Sequence, residues 1–284
     1  MPAKVVKIIT TFAPIIQVSD MECISSIQNP RIKQLVRLRE KSRERRQLGL
    51  AVVEGARELF IALNNGYQPQ ELFVCPEFFA KSDYPEIRQR IPESCQTLLT
   101  PAVFEKLAYR EGSDGIVALL RPKSHTLDSI PLSDNPFVIV LEAVEKPGNL
   151  GAILRTADAA KADAVLVCDP LTDLYNPNVI RSSVGCIFSV PTAVCTSAEA
   201  LAWTRAHGIR TFAAELQASD WYHLNDYTQP SAIVMGTEAD GLTDFWLQNA
   251  DARIKIPMRG LIDSLNVSVS TAILTFEAMR QRGF

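Results

Sequence analysis

The chain has few residues of the kinds that hold metal ions or span a membrane. Its 284 residues include three histidines and six cysteines, and no two cysteines form a C-x-x-C pair. Because no histidine is spaced to complete a zinc site, we expect no metal. Scattered thiols, several of them inside apolar runs, are typical of a reduced cytoplasmic protein. No apolar stretch approaches the length of a membrane span, so we expect no membrane partner.

Net charge does not at first favour a nucleic-acid partner, because the formal value is -3. The charge is uneven, however: residues 21–123 contain 16 Lys and Arg against 13 Asp and Glu, and residues 124–284 contain 11 against 18. Eight of the cations lie between Arg31 and Arg46. Such a run is more often a solvated helix than a binding surface. It nevertheless puts the positive charge that RNA attracts on the first half of the chain.

Short apolar runs alternate with helical patterns in two series, which indicates two α/β domains. We place the first domain at residues 21–121 and the second at residues 136–284, with a linker without periodicity at 122–135. Five β-branched runs in the second domain predict a mostly parallel sheet covered on both faces. Residues 1–20 faintly resemble a signal peptide, but Pro14 interrupts their apolar part and no A-x-A-like cleavage site follows, so export is disfavoured. We interpret them instead as a disordered or mis-annotated leader, with Met21 as the true start.

Ligands of parallel sheets bind beyond the carboxyl ends of the strands, so the loops there form the candidate site. The first loop, P-G-N-L-G-A-I-L-R, places Asn149 at a turn and Arg155 on the following helix. Arg155 projects away from the apolar stripe of that helix. Taken alone, this segment favours the simpler interpretation of a turn, with Arg155 paired to Asp158 one helical turn later.

The second loop, G-T-E-A-D-G, contains Glu238 between two glycines after a buried apolar run. Gly236 would let a ligand approach the backbone. Capping of the next helix by Glu238 or Asp240 is an alternative of equal weight.

The third loop, S-L-N-V-S-V-S, opens the closing helix with more small polar residues than one helix cap requires. Either Ser264 or Asn266 is expected to be the N-cap. The remaining small residues, Ser268 and Ser270 among them, would allow close passage of another backbone segment.

Together, P-G-N-x-G-x-x-x-R-T-A, G-x-E-x-x-G-L and I-P-M-x-G-x-x-x-S-L-N-V-S-V-S resemble the three signature motifs of the SpoU/TrmH family of RNA 2'-O-ribose methyltransferases. The resemblance implies an α/β fold whose C-terminal parallel-sheet SPOUT domain contains a deep trefoil knot, an exception to the unknotted rule. The first half, with S-I-Q-N-P-R-I-K-Q-L, resembles the small α/β L30e-like RNA-binding domain of many family members. Two positions depart from the common pattern: Lys146 replaces an acidic residue and Thr237 replaces an Asn.

In this family a ribose 2'-hydroxyl attacks the methyl group of S-adenosylmethionine. The resemblance implies that Arg155 acts on that hydroxyl, either as a base or as a cation that stabilises the alkoxide. The catalytic residues carried over by position are Arg155, Asn149, Glu238, Ser264 and Asn266. The cofactor-binding residues are Ala214, Glu215, Met235, Gly236, Ile256 and Leu265. The cations expected to bind RNA are Arg31, Lys33, Arg37, Arg45 and Arg46.

The resemblance also implies a homodimer through the closing helix, whose apolar residues Ile273, Leu274, Phe276 and Met279 would then serve as interface or core. Ribosomal RNA, specifically 23S rRNA, is the favoured substrate, and transfer RNA remains an alternative. A catalytically silent RNA-binding or ribosome-assembly factor is a further alternative. A dinucleotide-binding oxidoreductase is disfavoured, because no G-x-G-x-x-G follows the first strand of either half.

Overall fold

The computed structural model describes residues 21–108, 113–218 and 220–284, so the predicted leader at residues 1–20 lies outside the described residues. The first half forms a five-stranded sheet in the order β1-β4-β3-β5-β2. Strand β5 is antiparallel to both neighbours, and the remaining pairs are parallel. The strands are β1 (Cys23–Ile24), β2 (Ala51–Glu54), β3 (Pro69–Val74), β4 (Gln96–Leu99) and β5 (Ile116–Leu120).

The α-helices around this sheet, in the part of the chain that the structure describes, are α1 (Pro30–Glu40), α2 (Ser42–Leu48), α3 (Ala56–Asn64), α4 (Pro76–Phe79) and α5 (Pro101–Leu107). Helix α1 begins where Asn29 accepts a hydrogen bond from the Arg31 N–H at 2.9 Å, with Pro30 in the first turn. Its apolar stripe consists of Ile32, Leu35 and Leu38, which are buried in one cluster with side chains of the sheet. The basic run that the sequence contains is therefore two short helices at one side of the small sheet.

The second half forms a seven-stranded sheet in the order β10-β12-β9-β11-β6-β7-β8, in which every pair is parallel. All five runs predicted as strands form strands, and the parallel sheet is confirmed. The short edge strands β8 and β10 were not predicted. The strands are β6 (Phe137–Glu142), β7 (Ala164–Cys168), β8 (Thr192–Cys195), β9 (Arg210–Ala214), β10 (Asp220–Trp221), β11 (Ser231–Met235) and β12 (Ala252–Lys255).

Helices cover both faces of the large sheet, as the continuous apolar strands require. The helices are α6 (Pro147–Ala159), α7 (Pro177–Ser182), α8 (Ser197–Ala206), α9 (Asp244–Asn249) and α10 (Val267–Arg282). Alternate side chains of β6 face opposite layers: Phe137 and Ile139 pack with α6 and α10, whereas Val138 packs with α8 and α9. None of the helices in the described ranges is long and apolar enough to cross a membrane.

Arg282, near the end of α10, holds the beginnings of two central strands. Its guanidinium donates hydrogen bonds to the main-chain oxygens of Asn135 and Gln229, both at 2.7 Å, and to the Ser231 hydroxyl at 2.9 Å. Asn135 precedes β6, and Gln229 precedes β11. The closing helix is thereby fixed across the middle of the sheet.

Polar contacts join the described parts of the two halves, and two of them are formed by buried or partly buried side chains. Arg45 of α2 is 4% exposed and donates to Asp173, in the loop after β7, at 2.7 Å. In the second contact, His125 Nε2 lies 2.7 Å from the Tyr175 hydroxyl, which lies 3.0 Å from the Tyr67 hydroxyl. An apolar cluster also continues from the small sheet to the large one. The halves are therefore packed against each other through both polar and apolar groups.

Candidate active site

A cleft of about 1670 Å³, including space open to solvent, lies beyond the carboxyl ends of the adjacent strands β9, β11 and β12. This is the edge at which parallel sheets bind ligands. Its lining includes all six residues that the sequence predicted for the cofactor: Ala214, Glu215, Met235, Gly236, Ile256 and Leu265. Ser264 and Glu238 also line it. Residues that are distant in the sequence thus surround one space that is large enough for a cofactor.

The loop of residues 236–242 closes tightly on itself. The Thr237 N–H donates to the Gly241 carbonyl at 2.9 Å, and the two residues form an isolated antiparallel bridge. A Cβ atom at Gly236 would lie 2.1 Å from the carbonyl carbon of Gly241, which is far inside van der Waals contact. We expected Gly236 to admit a ligand to the backbone. In the structure, the space that a side chain at Gly236 would occupy is filled by the backbone of Gly241, at the other end of the same loop.

A polar cluster beside the cleft joins one residue from each of the three sequence motifs. The Glu238 carboxylate accepts hydrogen bonds from Asn149 Nδ2 and, at 3.1 Å, from Asn266 Nδ2. The Asn266 amide also lies 3.2 Å from Asn149 Oδ1. Lys146, the residue that departs from the common family pattern, forms an ion pair with Glu238. This last contact joins residues 92 positions apart and was not predicted from the sequence.

The structure decides between the helix caps that the sequence left open. Asn266 is the N-cap of α10, because its Oδ1 accepts the Ser268 N–H at 2.9 Å. Ser264 lines the cleft instead. The alternative of helix capping by Glu238 or Asp240 is wrong, because the N-cap of α9 is Thr243.

Arg155 lies apart from this cluster. It is exposed on α6 and lines none of the cleft, and its guanidinium makes no hydrogen bond or ion pair with any residue of the described ranges. The alternative pairing with Asp158 is therefore not formed; Asp158 accepts the Ser189 hydroxyl at 3.2 Å. Burial raises the pKa of the nearby Cys186 thiol to about 11, and the positive charge of Arg155 acts in the opposite direction. Arg155 thus remains an available cation on the exposed side of α6.

The five cations predicted to bind RNA are in different environments. Lys33, Arg37 and Arg46 are exposed. Arg31 is tied to Glu22 at 2.5 Å, to the Thr97 hydroxyl at 2.6 Å and to a second carboxylate on β3. The structure contradicts the expectation for Arg45, which is buried and donates to two carbonyl groups of α1 as well as to the large domain. Arg45 is consequently a structural residue, because its charge is already neutralised in the interior.

Lys106 was missed in the sequence analysis. It lies with Lys33 and Arg37 around a shallow groove whose floor is made by apolar residues of the α1 region. Lys106 belongs to α5, which is about 70 residues farther along the chain. A single lysine in a helix gives no sequence signal for such a position. Across the described ranges, no group of three or more His, Cys, Asp and Glu side chains could hold a metal ion.

Two families match the chain in separate segments. The SpoU rRNA methylase family matches residues 136–276, and the MRM3-like substrate binding domain matches residues 29–118. A relative from Ralstonia nicotianae, described as a 23S rRNA (guanosine-2'-O-)-methyltransferase, is 34% identical over 67% of this chain and 80% of its own length.

Solved structures resemble almost the whole chain. An RNA 2'-O ribose methyltransferase has 40% sequence identity and a TM-score of 0.79, with 92% of this chain and 100% of that chain covered. An AdoMet-bound rRNA methyltransferase from Sinorhizobium meliloti has 27% identity and a TM-score of 0.82, with 92% and 98% covered. These likenesses extend over both sheets; residues of the second and third motifs line the cleft, and the first motif joins them through the polar cluster. The chain therefore belongs to the SpoU rRNA methylase family.

Proposed function

We propose that this chain transfers a methyl group from S-adenosylmethionine to a ribose 2'-hydroxyl of ribosomal RNA, and specifically of 23S rRNA. The observation that carries the proposal is the convergence of the three motifs at one cleft and one polar cluster. The identity to a 23S rRNA 2'-O-methyltransferase supports the substrate class. The enzyme is accordingly proposed to be an RNA (ribose-2'-O-)-methyltransferase.

The lining of the cleft fits S-adenosylmethionine. Met235, Ile256 and Leu265 supply apolar contacts, and main-chain groups at the strand ends can hold the polar parts of the ligand. Glu215 Oε2 is buried without a hydrogen-bond partner in the described residues, and the same atom lies 3.5 Å from Arg253. An unsatisfied carboxylate oxygen is well suited to accept a hydrogen bond from a hydroxyl or ammonium group. When bound, the cofactor supplies an electrophilic methyl group.

The protein must position the ribose and manage the charge that develops on its 2'-oxygen. In the proposal, Asn149, Glu238 and Asn266 hold the loops that surround the ribose, and Ser264 faces it from the cleft. Arg155 stabilises the developing alkoxide, because a guanidinium remains protonated near neutral pH. Its guanidinium has no partner among the described residues, which supports this role, since its five N–H groups can meet RNA.

We propose that residues 21–121 form an L30e-like RNA-binding domain and that residues 136–284 form the knotted methyltransferase domain. Residues 122–135 link the two domains. In this proposal, RNA contacts the groove beside α1. Lys33, Arg37 and Lys106 surround that groove and can neutralise phosphates. Reversal of these charges should weaken RNA binding and reduce its dependence on salt.

The proposed dimer and knot both involve α10. Val269 and Phe276 of this helix are 47% and 41% exposed, whereas Leu274 is buried and belongs to the core. An exposed apolar stripe on a helix supports a homodimer interface. Contact of α10 with both α6 and β11 is consistent with the return path that a knot requires. A monomeric wild-type protein in light scattering would contradict the dimer. The six free thiols support a cytoplasmic location.

The test is methyl transfer from isotopically labelled S-adenosylmethionine to purified 23S rRNA, 16S rRNA and transfer RNA. We expect 2'-O-methylated nucleosides, identified by mass spectrometry, in 23S rRNA alone. Label in transfer RNA would favour the tRNA alternative. Cofactor-independent RNA binding without any label would favour the silent RNA-binding factor.

A further inference from the structure

Glu142, the last residue of β6, has a buried carboxylate that no ligand-binding role explains. It is 4% exposed and does not line the cleft. The carboxylate accepts two hydrogen bonds from a single residue: the Thr243 N–H donates to Oε2 and the Thr243 hydroxyl donates to Oε1, both at 2.8 Å. The Ser197 hydroxyl lies 3.1 Å from Oε1 and closer, at 2.8 Å, to an oxygen of Asp169. Thr243 is therefore the principal partner of Glu142.

Thr243 occupies a distinctive place in the chain. It follows directly on the tight loop of residues 236–242, which lines the cleft, and it is the N-cap of α9. Strand β11 holds the beginning of this loop, and the bridge between Thr237 and Gly241 closes it. The far end is held by the two hydrogen bonds to Glu142. The position of the loop at the cleft thus depends on a residue of a neighbouring strand.

We propose that Glu142 is a positioning residue that sets the affinity for S-adenosylmethionine by fixing the far end of the 236–242 loop through Thr243. The proposal rests on the proposed function of the cleft. It adds a residue that touches neither cofactor nor RNA and acts only through the loop.

Apolar burial alone does not fix the loop end in the same way. Leu242 is buried and Trp246 of α9 is fully buried, so both hold this region against the sheet. Burial of apolar surface is non-directional, however, and tolerates rotation and sliding. Two hydrogen bonds from one residue to the two oxygens of one carboxylate fix both distance and orientation, and bonds to a charged group are stronger than neutral ones. Glu142 accordingly supplies the directional part of the anchor.

The test compares two variants, each of which removes one of the two hydroxyl groups that lie next to Oε1 of Glu142. Thr243→Val removes the hydroxyl that donates to Glu142, and Ser197→Ala removes the other hydroxyl without altering the loop contact. Thr243→Ser keeps both hydrogen bonds and is the conservative rescue. The first measurement is hydrogen exchange of the loop amides in the free protein. The second is the Kd for S-adenosylmethionine from calorimetry, with thermal unfolding and the Kd for RNA as structural readouts.

For Thr243→Val we expect faster exchange within residues 237–242 and a Kd for S-adenosylmethionine raised about tenfold, as for loss of one hydrogen bond to a charged group. Ser197→Ala and Thr243→Ser should leave both quantities within about twofold of the wild type. Unchanged loop exchange in Thr243→Val, or an equal effect in Ser197→Ala, would overturn the inference. A wild-type protein that binds no S-adenosylmethionine would instead refute the proposed function, and the exchange measurement would still decide the anchoring role.

Discussion

At the scale of single residues, the motif positions separate into three environments. Gly236 and Leu265 line the cleft, Asn149 and Asn266 meet Glu238 beside it, and Arg155 stands alone on an exposed helix surface. The family resemblance assigned the first group to the cofactor and the other two to catalysis. It did not separate Arg155 from the two asparagines, because the contacts of Glu238 join residues 28 and 89 positions away.

The isolated position of Arg155 leads to a prediction about kinetics. Arg155→Ala should reduce kcat at least about 100-fold, as does loss of one group that stabilises a developing oxyanion. The Kd for S-adenosylmethionine should stay within about twofold of the wild type, because Arg155 does not line the cleft. Single-turnover methylation and calorimetry measure the two quantities. Arg155→Lys, which keeps the charge but not the guanidinium, should recover only part of the rate. Near-normal turnover of Arg155→Ala would remove this residue from the mechanism.

A second residue-scale prediction concerns Gly236. Gly236→Ala should raise the Kd for S-adenosylmethionine by about tenfold or more, because the added methyl group collides with the backbone at Gly241 and forces the loop open. Gly260→Ala is the matched control, since a Cβ at that loop position meets no atom within 4 Å. Calorimetric titration of both variants provides the comparison. Equal affinities in the two variants would show that loop closure does not govern binding.

At the scale of elements, hydrophobic periodicity was a reliable guide where strands are central. The run that forms β6 is buried at every position, and its continuous apolar character predicted a covered parallel strand. Strand β8 was missed because it is short and lies at the sheet edge, where Val194 is 39% exposed. An edge strand has one pairing partner and a weaker pattern, so sequence alone does not distinguish it from a loop.

The polar opening of α10 has two functions that a pair of substitutions can separate. Asn266→Asp keeps an oxygen for the Ser268 N–H, but loses the amide donor to Glu238. We expect the contribution of the helix cap to stability to be retained and kcat/KM to fall at least about tenfold, since a second carboxylate then faces Glu238 in place of a donor. Asn266→Ala should additionally lose about 1 kcal/mol of stability with the helix cap. Thermal unfolding and steady-state methylation measure these effects. If Asn266→Asp retained full activity, the polar cluster would have a structural role only and would not contribute to catalysis.

At the scale of the whole molecule, contacts between the two halves determine which cations of the basic run are exposed. Arg45 belongs to that run, yet it is buried against Asp173, which is 128 positions away. Whether a charge faces solvent or a partner depends on such distant contacts, so composition identified the basic half but not its exposed members. The same contact, together with the apolar cluster that crosses between the sheets, favours a fixed rather than a hinged arrangement of the halves.

The junction also predicts a pH dependence of stability. Burial lowers the pKa of His125, and its hydrogen bond to the Thr192 carbonyl only partly offsets this effect. The unfolded chain therefore binds the proton more readily than the native protein. The contribution of neutral His125 is complete above its ordinary pKa of 6.5 and declines as the pH falls below that value. Urea unfolding at pH 5.5 and 7.5 should show this loss in the wild type and a smaller one in His125→Asn. Parallel pH profiles in the two proteins would argue against a role for His125.

The clamp formed by Arg282 has a consequence for the order of events during synthesis. The strands that it holds begin after Asn135 and Gln229, so both leave the ribosome well before the arginine does. The central sheet of the second half can form its early pairings during translation, but its final fixation must wait until the closing helix has emerged. Completion of the methyltransferase half is consequently a late event, whereas the small N-terminal sheet contains all its own strands and can assemble much earlier.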